Sequence, residues 1–231
     1  MTAKYFRIAV PLTLAAILAG ACSSNDASPN TGAAPSQGAT NTIARTSTAS
    51  SPTNTRAADL RVILTSVLQE HVYLTGITTG AALQGADHRV PAATLDENSV
   101  ALSKVFASAY GGPAGEQFLA LWRKHIGMFI DYMVGTVTDD GARKAKARVE
   151  LDGYGADFGA FVSSANPNLT KEAVAMELTP HVATMTAAID AQGAKDPSAT
   201  AKLQDAAEHM SHMAGVLAGA MAMQFPDKFP G

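Results

Sequence analysis

Residues 113–137 read PAGEQFLALWRKHIGMFIDYMVGTV, and this stretch decides the fold class. Its large apolar side chains, Phe118, Leu121, Trp122, Phe129 and Tyr132, recur at steps of three and four, with His125 on the same face. Steps of that size line one side of an α-helix, whereas a half-buried strand would alternate. Pro113 suits the first turn of such a helix, where a missing N–H costs nothing.

The same period runs outward in both directions. A helix over 57–84 carries Leu60, Leu64, Val67, His71 and Leu74 on one face. Another spans 95–110, opening at Asp96-Glu97 and stopping at Gly111-Gly112. Downstream, 140–164 holds a basic patch of Arg143, Lys144, Lys146 and Arg148. Asn166-Pro167-Asn168 then breaks the chain, and Thr170 caps a helix over 170–193 with Val174, Leu178, His181, Met185 and Ala188 as its stripe. Asp196 and Pro197 open the last helix, 197–223. The expected fold is all-α: a four-helix-bundle-like core of long helices with two additional helices, over residues 56–231. Small residues four apart, Gly155/Gly159 and Gly215/Gly219, are expected to let helix backbones approach closely.

Ahead of this domain the composition changes. Lys4 and Arg7 precede an apolar run from Ile8 to Leu18, too short for a permanent span, and residues 1–21 read as an export signal. Small residues lead up to Cys22, the only cysteine of the 231-residue chain. From Cys22 to Thr55 all but Cys22, Asp26, Ile43 and Arg45 are Ser, Thr, Asn, Gly, Pro, Ala or Gln, so 22–55 is expected to be a disordered tether. One cysteine excludes a disulfide framework and any multi-cysteine metal site within the chain. A net charge of −3 and a pI near 6.0 argue against a nucleic-acid partner.

The histidines are the most informative feature. On the boundaries above, the long helices have midpoints near 70, 125, 181 and 210, and the chain places His71, His125, His181 and His209 there. Midpoints of antiparallel helices of similar length share a level, so these rings are candidates for one layer of metal ligands. Met185 follows His181 by four residues and Met213 follows His209 by four, spacings that share a helix face. His212 forms an i, i+3 pair with His209 and stands as a reserve ligand. Imidazole with thioether leans towards copper, because soft sulfur selects copper(I) and imidazole holds either oxidation state. Glu70, Glu177 and Glu208 are candidates to orient the rings from the second shell or to ligate directly. Nitrogens converging within about 4–5 Å would favour such a site, since bonds near 2 Å bring donors that close. The competing expectation is a structural or protein-interaction module whose histidines are ordinary core residues.

Sharper chemistries find no support. No Glu-x-x-His occurs for a di-iron bundle, no Cys-x-x-Cys-His for covalent haem, and no nucleophile-elbow motif for a catalytic serine. An enzyme or a non-covalent haem binder of unrecognised type is the lesser alternative. His88, between Asp87 and Arg89, is expected in solvent.

Leu18-Ala19-Gly20-Ala21-Cys22 resembles the lipobox of bacterial lipoproteins, with Ala19 where Leu is usual. The resemblance implies cleavage before Cys22, palmitate-type acylation of that residue and anchoring at the outer face of a membrane in the cell envelope. Glu70-His71-Val72, Ala165-Asn166-Pro167-Asn168 and the ending Gln224-Phe225-Pro226-Asp227-Lys228-Phe229 resemble an uncharacterised group of bacterial extracytoplasmic helical proteins. The helix around His209 to Met213 is faintly similar to copper-binding His/Met bundle proteins of the cell envelope.

Overall fold

The computed structural model describes residues 53–231, so the expected export signal over 1–21, Cys22 and nearly all of the expected 22–55 tether lie outside the described residues. Six α-helices follow in order: α1 Arg56–Leu83, α2 Arg89–Tyr110, α3 Gly112–Val137, α4 Gly141–Ala165, α5 Lys171–Gly193 and α6 Ala199–Gln224. Among the described residues there is no strand, and no helix is long and apolar enough to cross a membrane. The all-α expectation stands.

Helix ends follow local chemistry. The side chains of Thr55, Asp140 and Thr170 accept hydrogen bonds from the backbone N–H groups of Ala58, Arg143 and Ala173, satisfying first-turn donors. Asp196 plays a related part before α6 by accepting from the Ser198 N–H. α2 begins earlier than expected, because Pro91 falls in its first turn, where proline is tolerated, and Asp87 accepts from the Arg89 N–H. Gly111, the sole residue between α2 and α3, has φ +93°, a conformation glycine reaches without strain.

The six helices close into a ring, each packed on its neighbour in sequence, with α6 packed on α1. Short connections reverse the chain at each step. At one end of the ring Gln224 Nε2 donates to the Ala165 carbonyl, Lys228 Nζ to that of Ala109 and the Ala57 N–H to that of Pro230. At the other end Gln192 Nε2 bonds the Gly76 carbonyl. Across the middle, α1, α3 and α5 also touch one another, making an inner triangle with α2, α4 and α6 outside it. This arrangement alternates inner and outer helices and thereby refines the expectation of four core helices plus two.

The inner faces are strongly apolar. On α1 the buried line is Leu60, Leu64, Leu68 and Val72, with the expected Val67 and Leu74 only half-buried. Phe106, Phe118, Phe158 and Phe161 cluster towards the α2–α3 connection, with Phe106 stacked on Phe118 at 4.1 Å between ring centroids. Each such ring contributes roughly 1.5–3 kcal/mol by leaving water. The glycine expectation divides: a Cβ on Gly159 would collide with the Lys171 carbonyl oxygen, so α4 and α5 do meet closely there. A Cβ on Gly219 would meet open space, and Gly215 faces only the Arg61 guanidinium, so neither brings helix backbones together.

Candidate metal centre

Each inner helix brings one histidine to the middle of the ring. His71 on α1, His125 on α3 and His181 on α5 are at most 3% exposed. One ring nitrogen from each lies within 4.8 Å of the others. A tetrahedral ion with bonds near 2 Å sets its donors about 3.3 Å apart, so the rings need only small rotamer adjustments to close on one. Three buried histidines therefore lie close enough to hold a metal ion.

The surroundings are aromatic. Trp122 lies 4.5 Å from His125 and 4.9 Å from His71 between ring centroids, Tyr154 stacks on His125 at 5.0 Å, and Phe129 meets His181 edge-on at 5.8 Å. Such walls exclude water and leave the imidazoles no carboxylate to pair with.

Burial sets the protonation state. Desolvation, helped by the His181 ring, lowers the pKa of His71 to about 3. Desolvation and the nearby His209 ring lower that of His181 to about 4. His125 is also held well below its ordinary value by burial and by both neighbouring histidines, against a smaller opposing effect of the Trp122 backbone. All three rings are thus neutral at physiological pH, and a neutral imidazole carries one lone pair for a metal.

Hydrogen bonding leaves those lone pairs unspent. Nδ1 of His71, Nδ1 of His125 and both nitrogens of His181 are buried without a partner, as are Trp122 Nε1 and Tyr154 Oη. An unpaired buried polar group costs about 1–3 kcal/mol, so a fold that gathers several in one place is provided for something to satisfy them. A metal ion fits this donor set, because imidazole suits zinc, copper, iron and nickel.

The other expected residues take different places. The inward face of α6 is Ala206, Met210, Met213 and Leu217, so His209 sits half-buried at its edge. There its Nε2–H donates to the Glu177 carbonyl at 2.6 Å, and it does not join the group of three. His212 is exposed and lies 3.4 Å from the Glu177 carboxylate. Glu70 is exposed and accepts from Asn98, and Glu208 accepts from Gln204 on its own helix. None of the three carboxylates hydrogen-bonds a histidine of the buried group. Met185 and Met213 belong to the apolar core, Met213 lining a small apolar cavity with Leu68, Trp122 and Met210. His88 is exposed, as expected.

Sequence reasoning passed over Tyr154. It stands at the middle of α4 on the buried line Leu151, Tyr154, Phe158, so the midpoint argument applied to that helix would have found it. Comparison with protein-family models, with curated proteins and with solved structures finds no match to this chain.

Proposed function

We propose that this protein is a non-enzymatic, membrane-anchored helical protein of the bacterial cell envelope that holds one transition-metal ion, copper first, between His71, His125 and His181. The observation that carries the reading is the set of three neutral imidazoles with unpaired nitrogens, buried together among aromatic rings. Copper stands at the top of the affinity order for nitrogen donors among divalent first-row ions, and three imidazoles also suit copper(I). Enclosure speaks for storage, delivery or sensing, since a catalytic metal needs a position open to substrate. The lipobox-like residues before Cys22 support anchoring. Several acyl chains on that residue, at about 0.8 kcal/mol per buried CH₂, would hold it at a membrane.

Metal content of the full chain tests this, measured by mass spectrometry after incubation with copper, zinc and iron and exhaustive desalting. Copper near one per chain is expected, lost when His125 and His181 both become Ala while the helical spectrum survives. Trp122, the only tryptophan, touches two of the ligand rings, so copper binding should quench the protein's tryptophan fluorescence. No retained metal in either redox state, or copper retained by the double variant, overturns the assignment.

A further inference from the structure

The three histidines are at most 3% exposed, yet an ion has to reach them. A bare cation cannot cross an apolar wall, because an unpaired buried charge is far too costly. It has to be passed from ligand to ligand. The seam between α5 and α6 carries such a series. His212 is the outermost, its side chain 66% exposed. Glu177 faces it at 3.4 Å with a carboxylate that is 26% exposed. His209 comes next, half-buried and bonded to the Glu177 carbonyl, one helical turn before the buried His181 on α5.

Two details make this seam more than a row of polar residues. A carbonyl oxygen can only accept, so His209 Nε2 is the protonated nitrogen and Nδ1 of the neutral ring keeps its lone pair. Beside it, Pro180 falls inside α5 immediately before His181. Proline has no N–H, so the helix has one intrahelical hydrogen bond fewer next to its ligand.

We infer that the α5–α6 seam is the metal entry route of the protein: Glu177 and His212 capture the hydrated ion at the surface, and His209 hands it to His181 beside Pro180. This rests on the metal reading above. Each step is ligand exchange: water and the Glu177 carboxylate leave as imidazole nitrogen binds, with no change of oxidation state. The route residues set the barrier and not the end point.

The test is the rate of copper(II) loading into the full chain, followed by quenching of Trp122 in a stopped-flow instrument. His209→Gln retains an N–H donor for the Glu177 carbonyl but removes the imidazole lone pair, and His212→Ala removes the outer station. Each is expected to slow loading about tenfold, the factor set by one ordinary ligand interaction in a barrier. Final quench and copper stoichiometry should match the parent. Stripping by a chelator should slow by the same factor, since an unchanged equilibrium requires it. Parental rates in both variants overturn the route, as does loss of final quench, which would make these residues ligands. Failure of the metal reading looks different: the parent itself is not quenched, or the His125→Ala/His181→Ala variant still is, and the route then falls with it.

Discussion

Two buried polar places in this protein are built on opposite terms. At the end of the ring near the α4–α5 connection, Asn166 is fully buried and paired on both sides. Its amide donates to the Tyr110 hydroxyl at 2.9 Å, and its carbonyl oxygen accepts from the Asn168 N–H at 2.9 Å. In the middle of the ring His181 is almost as buried, and neither of its nitrogens has a partner. The first place is complete without help and holds a turn between helices. The second leaves its polar atoms without partners, and it sits where three helices converge rather than where a chain has to turn.

The contrast can be broken most forcefully with acid. The folded protein holds His71 near 3 and His181 near 4, and His125 well below 6.5, whereas an unfolded chain protonates all three near 6.5. Below that pH the unfolded state binds protons that the folded state refuses, so stability falls as pH drops from about 6.5 towards 4. Each ring adds about 1.4 kcal/mol per pH unit to that slope, which vanishes above the unfolded value. Urea unfolding of metal-free protein between pH 4.5 and 8 checks this, and a flat profile contradicts it. Metal shifts the curve: at a free concentration about one hundred times its dissociation constant it adds about 2.7 kcal/mol, read as a higher unfolding midpoint.

Substitution sharpens the same comparison. Asn166→Ala strands the buried side of Tyr110 and should cost about 1–3 kcal/mol, in metal-free and metal-loaded protein alike. His181→Leu should do the reverse, raising the stability of metal-free protein by about 1 kcal/mol or more while abolishing copper uptake, because an apolar side chain replaces unpaired polar atoms. If His181→Leu destabilises the metal-free chain, the ring is an ordinary core residue. The smallest effect belongs to Glu70→Gln. Its oxygen still accepts from Asn98, and since Glu70 lies apart from the buried rings, copper uptake should match the parent in the same assay.

Much of this was legible beforehand. Stripes such as Phe118, Trp122, His125 and Phe129 marked helices because burial imposes its period on sequence. The midpoint argument then brought His71, His125 and His181 to one level, and they share it. It failed for His209 for a physical reason. An outer helix also has an apolar face and a midpoint, and nothing in its sequence says that it does not line the axis of the ring. On α6 the inward residue is Met210, and a shift of one position is about 100° of helix rotation. The carboxylates misled similarly: spacing of four places Glu177 near His181 on one helix, but only tertiary packing decides which side faces solvent.

The alternation of inner and outer helices has a consequence for the life of the chain. Adjacent helices joined by short connections are the local units that assemble first, and α1–α2, α3–α4 and α5–α6 each carry a single one of the three central imidazoles. No single one of these hairpins brings two of them together. On the proposed metal reading, capture by all three imidazoles is therefore a certificate of completed assembly, because it requires all three hairpins to be docked.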